Sequence, residues 1–191
     1  NNFENFQIAR FSICYKKVEF SLKSTNFAPV LKECTHKIMK KFRNYEVYAL
    51  VTGAASGMGR IYSEQLALKG YNVVLVDINA KGLEETAAIV QSRIESSGSI
   101  PTGMKERLSI IPIVQDLSAP DAADRIYDRT ESEGCKIEVL VNNAGVMYCQ
   151  GIAETSERML KLIMMVHMNT PLMLCRKYVG AMKERGCGYI L

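Results

Sequence analysis

A chain of 191 residues, 48% of them hydrophobic and 23% charged, holds enough apolar material for one domain with a real core. No apolar run reaches the roughly 18–20 residues that span a bilayer, and a disordered or fibrous composition is excluded. The net charge of +4 is uneven: residues 1–44 carry nine Lys or Arg against three Asp or Glu, so the basic character belongs to that segment and no nucleic-acid partner is expected.

The opening stretch NNFENFQIAR is polar with scattered aromatics, and no secretory signal is visible in it. From Pro29 to Arg43, Leu31, Cys34, Ile38 and Phe42 recur at helical spacing, with Lys32, Lys37, Lys40, Lys41 and Arg43 mostly on the other faces. This basic amphipathic helix, over about 29–43, is expected to pack on the domain or on a partner subunit. Contact with an anionic membrane surface is the alternative. Residues 1–44 therefore form an extension, and residues 45–191 the domain.

Within the domain, strand and helix patterns alternate. Val47–Thr52 reads as a short apolar strand and residues 57–69 as a helix closed by Gly70. YNVVLVD is a β-branched run suited to a strand buried on both faces. Residues 81–97 read as a helix, SSGSIPTGMKER as a polar turn, and LSIIPIVQDL as a strand. Residues 120–133 are helical, IEVLVNN is a strand, and residues 156–185 form one long helix adjusted near Pro171. GYIL opens a fifth strand. Strands separated by helices of ten or more residues predict an α/β fold, a doubly wound parallel sheet with right-handed crossovers.

Six cysteines are scattered without a close pair, and His36 and His167 are the chain's two histidines. No metal site is expected from such spacing. Buried thiols in a reducing, cytoplasmic setting are the simpler expectation, because disulfides need an oxidising compartment.

The chemistry concentrates at strand ends. VTGAASGMGR places Gly53, Gly57 and Gly59 between the first strand and its helix, with Ser56 and Met58 among them. A turn there aims backbone N–H groups and the positive end of the helix dipole at an anion, and glycine lets a phosphate approach. The spacing is G-x-x-x-G-x-G, not the common G-x-G-x-x-G dinucleotide turn. Asp77, followed by Ile78, ends the second strand about twenty residues on, where a carboxylate accepts from both adenosine ribose hydroxyls and repels a 2′-phosphate. A turn or helix-capping role fits Asp77 as well. Arg60 keeps a 2′-phosphate, and so NADP, in view. Asp116 and Leu117 follow the third strand, where they either meet an adenine edge or cap a loop. Asn142, Asn143, Ala144 and Gly145 end the fourth strand, where the asparagines can tie strands together while the Ala144–Gly145 backbone passes a ribose; as an isolated tetrapeptide it would be any tight turn.

Together these residues resemble the classical short-chain dehydrogenase/reductase family. Thr52–Gly59 is similar to its TGxxxGxG turn, Asp77 to its NAD-selecting acid, Asp116–Leu117 to its adenine contact and Asn142–Gly145 to its NNAG motif. Asn169, in VHMNTPL, stands where the family keeps a catalytic asparagine. The resemblance runs from about Tyr45 to Leu191. It implies a Rossmann-like NAD(P)-binding domain and an oxidoreductase that moves hydride between nicotinamide and an alcohol or carbonyl substrate. NAD is favoured over NADP on the strength of Asp77, and a homo-oligomer is implied for the full-length enzyme. GRIYSEQLALKGYNVVLVD further resembles the branch of 3-ketoacyl-CoA and 17β-hydroxysteroid reductases, although Asp77 departs from the NADP preference common there.

The resemblance also implies a serine past the fifth strand and a Tyr-x-x-x-Lys pair beyond it. Tyr178, Tyr127 and Tyr62 have Met182, Glu131 and Leu66 four residues on, and the other tyrosines have no lysine there either. The expectation is a C-terminally incomplete domain, the cofactor half of a longer enzyme. The alternative is a non-catalytic nucleotide-binding or regulatory protein that ends near Leu191. Reading the coding sequence onward decides it: a downstream serine and Tyr-x-x-x-Lys meet the expectation, and a stop codon after Leu191 overturns it.

Overall fold

The computed structural model describes residues 47–191, so the expected amphipathic helix over 29–43 lies outside the described residues. Five strands, β1 (Val47–Thr52), β2 (Asn72–Asp77), β3 (Ile110–Val114), β4 (Lys136–Val141) and β5 (Tyr189–Ile190), form one parallel sheet in the order β3-β2-β1-β4-β5. The helices between them are α1 (Gly57–Leu68), α2 (Ala80–Ser96), the single turn α3 (Thr102–Lys105), α4 (Ala122–Ser132), α5 (Glu157–Met164) and α6 (Thr170–Glu184). A π-helical segment, Met165–Asn169, joins the last two. The doubly wound expectation holds. The turn α3, inside the stretch read as a polar loop, is new.

The β-branched composition of the central strands follows from their burial on both faces. On one face Ala49, Val51, Val73, Leu75, Val139 and Val141 meet Ala67 of α1 and Leu83, Val90 and Ile94 of α2. On the other, Leu50, Val74, Val76, Ile137 and Leu140 meet Ile126 of α4 and Leu174, Tyr178 and Met182 of α6. Alternation along each strand thus sends successive residues to opposite layers. In β4 the alternation needs a correction, since Ile137 and Val139 face opposite layers. It comes from a register shift, in which Tyr48 pairs Ile137 while Ala49 pairs Val139. The extra residue is Glu138, 3% exposed, whose carboxylate accepts from the Tyr71 hydroxyl at 3.3 Å.

Two prolines are placed where their missing N–H does least harm. Pro112 lies in β3, which pairs with β2 and stands at an end of the sheet. Pro171 opens α6 immediately after the π segment. In a straight α-helix its ring would collide with the carbonyl four residues before it, and the wider π turn takes up that conflict. Among the described residues, no helix is long and apolar enough to cross a membrane.

The second layer is pinned by a hydroxyl pair in its interior. Tyr178, 3% exposed, lies 2.8 Å from the Thr130 hydroxyl, and burial pushes its phenol well above the usual value of 10.0. Burial and the Glu138 carboxylate push Tyr71 up in the same direction. A phenol whose pKa is raised by folding favours the folded state below its unfolded value and loses that contribution as pH rises through the folded one. Urea midpoints are therefore expected to fall steeply above about pH 10. In Tyr178→Phe that alkaline fall becomes shallower, at a cost of about 1 kcal/mol at neutral pH. An unchanged alkaline slope would remove Tyr178 as a cause.

Candidate functional site

In the order β3-β2-β1-β4-β5 the chain runs outward from β1 through β2 to β3, then returns to β4 on the other side. The two connections part above the carboxyl ends of β1 and β4, which leaves a crevice where ligands bind in sheets of this kind. It is a cavity of about 1100 Å³.

The floor is built from Thr52, 2% exposed at the end of β1. Its hydroxyl donates to the Val141 carbonyl at 3.3 Å and accepts from the Asn143 and Ala144 amides at 3.0 and 3.1 Å. Asn143 answers with its side chain, whose amide donates to the Thr52 and Gly53 carbonyls at 3.0 and 3.4 Å. The strand-tying role read for this pair thus falls to Asn143. Asn142 points the other way, its amide nitrogen 3.6 Å from Cys175 Sγ and its backbone N–H donating to Leu191 O at 2.9 Å.

Close packing explains Gly53 and Gly59, and a left-handed backbone explains Gly57. Gly53 has φ +68°, and a Cβ there would lie 2.8 Å from Ala144 Cα. A Cβ on Gly59 would run into the Gly53 carbonyl oxygen. Gly57, also at positive φ (+52°), has open space around its missing Cβ. The cap of α1 is bare: Ser56 makes no side-chain bond to the first-turn amides, and no acid stands in that turn. An anion held over this end of the helix finds amide donors and the positive end of the dipole without a competing carboxylate.

Asp77 stands on the wall beside this turn, with Oδ2 accepting from Ala55 N at 3.1 Å and Oδ1 from Asn79 N at 3.0 Å. The capping of α2 is done by Asn79, whose side chain accepts from Gly82 N at 3.0 Å. Asp116 shows a comparable local bond, its Oδ1 accepting from the Ser118 amide and hydroxyl at 2.8 and 2.7 Å. Both acids also line the cavity.

The structure brings together on the cavity wall Gly53, Ser56, Gly57, Met58, Asp77, Ile78, Asp116, Leu117, Asn143, Ala144 and Gly145. Gly59 lies beneath the turn, where it allows close packing. Asn169 ends the π segment away from the cavity lining, and its neighbour Thr170 seats the helix by donating to the Leu117 carbonyl at 2.7 Å. Arg60 turns away from the cavity: its guanidinium donates to Ala55 O at 2.7 Å and to the Thr86 hydroxyl at 2.9 Å.

One wall escaped the sequence reading. Ser156, Arg158, Met159, Lys161, Leu162, Met165 and Val166 close the cavity from α5 and the π segment. The signal was the spacing of Met159, Leu162 and Val166 along one helix face, but nothing in that spacing tells a core face from a cavity face. His167 joins this wall to the fourth-strand loop. Its Nε2 lies 2.9 Å from both the Val146 amide nitrogen and the Val146 carbonyl oxygen, accepting from the one or donating to the other according to the ring's tautomer. A Cβ on Gly145 would come within 3.0 Å of that ring.

No cluster of His, Cys, Asp and Glu suited to a metal ion occurs among the described residues, and no disulfide joins the described cysteines. Cys135 is buried, and burial pushes its thiol up to about 11, whereas Cys149 is exposed.

Residues 47–191 match the short chain dehydrogenase family. The chain is 27% identical over 150 residues to retinol dehydrogenase 10-B of Danio rerio, covering 74% of this chain and 44% of that protein. It is 27% identical over 170 residues to a very-long-chain 3-oxoacyl-CoA reductase-like protein of Arabidopsis thaliana, covering 86% and 50%. With 17-beta-hydroxysteroid dehydrogenase type 3 of Danio rerio it shares 29% over 155 residues, covering 78% and 46%. The chain spans about half the length of these curated relatives. Among solved structures, a metagenomic short-chain oxidoreductase in complex with NADP shares the fold, with a TM-score of 0.65, 24% identity and coverage of 76% of this chain and 60% of that one. L-Sorbose reductase of Gluconobacter frateurii, complexed with NADPH and L-sorbose, shares it at 0.64 and 24%, covering 76% and 50%.

The Thr52 hydroxyl is the joint of this site. Thr52→Val keeps the shape but leaves two amides facing a methyl, and is expected to cost about 2 kcal/mol in urea unfolding. Thr52→Ser should keep most of that stability. A loss below about 0.5 kcal/mol for the valine variant would show that the joint lies elsewhere.

Proposed function

The chain belongs to the short-chain dehydrogenase family, and from that membership we propose that it binds a nicotinamide dinucleotide as part of an oxidoreductase acting on an alcohol or carbonyl. The cofactor supplies hydride chemistry at its nicotinamide ring; residues 47–191 supply its seat. The residues present fit such a group. A bare helix N-terminus and the open space at Gly57 suit a pyrophosphate. Ile78 and Leu117 suit an adenine, and the Ala144–Gly145 backbone suits the second ribose.

The observation that carries the choice of NAD is the Asp77 carboxylate on the cavity wall, steadied by two backbone amides. Each oxygen spends one lone pair on an amide and keeps another for a ribose hydroxyl. A 2′-phosphate placed there meets a fixed negative charge, and Arg60, the guanidinium beside the turn, is engaged elsewhere. The two solved structures compared above hold NADP or NADPH, and the choice of NAD for this chain rests on Asp77 alone.

For the substrate, the relatives are named for retinol, a very-long-chain 3-oxoacyl-CoA and a 17β-hydroxysteroid. Those names support an alcohol or ketone with a large apolar body. A homo-oligomer is proposed for the full-length enzyme. Its support is the exposed row Met164, Met168 and Leu172, spaced four apart along the α5–π–α6 helix.

Titration of the chain with NAD and NADP tests the cofactor reading. NAD should bind more tightly, and Asp77→Ala should weaken NAD about tenfold or more while NADP binds as well as before or better. An unchanged ratio of the two affinities would remove the ribose role from Asp77.

A further inference from the structure

Ala54 and Ala55, which follow Gly53 in the glycine turn, have all four of their backbone polar groups engaged, each by a different residue. Ala54 N donates to Val76 O at 3.1 Å, and Ala54 O accepts from the Thr86 hydroxyl at 3.0 Å. Ala55 N donates to Asp77 Oδ2 at 3.1 Å, and Ala55 O accepts from Arg60 Nη2 at 2.7 Å. The two side chains that hold the carbonyls also hold each other, since Arg60 Nε donates to Thr86 Oγ1 at 2.9 Å. Thr86 is fully buried, and Arg60 has a further partner in Glu85 at 3.6 Å.

Such saturation is not what a glycine turn needs merely to exist. Gly53 and Gly57 both sit at positive φ, and a segment between two such residues is soft unless something outside it fixes its peptides. Gly82 shows how closely α2 is brought up for this: a Cβ there would lie 2.7 Å from the Ala55 Cβ and 3.1 Å from the Ala55 carbonyl oxygen. Gly82 and Thr86, four apart on α2, thus present one face to Ala54 and Ala55.

We propose that Arg60 and Thr86 form a latch that sets cofactor selectivity without touching the cofactor: Thr86 holds the carbonyl end of the Ala54–Ala55 peptide, whose N–H orients the Asp77 carboxylate, and Arg60 braces Thr86 and the Ala55 carbonyl that follows. This rests on the reading of Asp77 as the ribose-binding acid. The latch acts twice. It holds the carboxylate in the direction a ribose diol requires, and it keeps the Arg60 cation out of the cavity, where it would otherwise welcome a 2′-phosphate. Arg60 and Thr86 are positioning residues. Loosening either should narrow the preference between two dinucleotides, whereas a merely structural contact would weaken both equally.

The test uses the 191-residue chain and two measurements. Affinities for NAD and NADP are measured by titration for the wild type, Arg60→Met, Thr86→Val and Thr86→Ser, with melting curves to confirm folding. The NAD-to-NADP affinity ratio is expected to fall about tenfold in Arg60→Met and Thr86→Val, and to be kept in Thr86→Ser, which retains the hydroxyl. A ratio within twofold of the wild type in both disruptive variants overturns the latch. Amide hydrogen exchange at Ala55, read without any cofactor, should quicken at least about tenfold in Arg60→Met and Thr86→Val. Unchanged exchange overturns the latch even if the dinucleotide reading stands. A wild-type chain that binds neither dinucleotide overturns that reading, while the exchange measurement still decides whether Arg60 and Thr86 fix the Ala55 peptide.

Discussion

Two neighbouring parallel strands whose connections leave in opposite directions create a local shortage. Above the last paired residues of β1 and β4, backbone groups have no strand partner, and the crevice that opens between them has to be lined without being filled. Thr52 and Asn143 resolve this with one hydroxyl and one carboxamide. The hydroxyl takes two amides and gives to one carbonyl, and the carboxamide spans two carbonyls across the gap. Buried donors left without partners there would cost about 1–3 kcal/mol each. The positions of Gly53 and Ala144, and hence of the floor of the cavity, follow from that exchange.

Because the floor is fixed by polar bonds, two of the glycines above it have a task beyond conformational freedom. Gly59 and Gly53 let α1 start directly on top of the joint, with helix and turn in contact. Only in that arrangement do the first-turn amides of α1 face the crevice. The bare cap belongs to the same design: a Ser56 hydroxyl or an acidic residue serving those amides would compete with an anionic ligand for them.

Most of this architecture was legible from the residues. The alternation of strands and helices, the β-branched runs and the glycine spacing all reflect local or periodic constraints, and the structure follows them to within a few residues. Asp77, Asp116 and Asn143 were legible because strand ends in a doubly wound sheet converge on one edge, so sequence position alone implies proximity. The helical wall was not legible. Leu162 and Val166 lie on an apolar face like any other, and their exposure to a cavity depends on how far the helix stands from the sheet. The bonds of Arg60 were not legible for a related reason. A guanidinium beside a phosphate turn invites a phosphate role, and only the packing of α2 reveals that Thr86 and the Ala55 carbonyl reach it first.

The same packing shows that the two roles posed for Asp77, turn residue and proposed ribose-binding acid, do not exclude each other. A carboxylate free to rotate would meet a ribose diol in one orientation among several and would lose entropy on binding. Bonds to the Ala55 and Asn79 amides remove that freedom before any ligand arrives, and they leave a lone pair on each oxygen. The turn role therefore does not compete with the ribose role proposed for Asp77: the turn contacts hold the carboxylate in one place on the cavity wall.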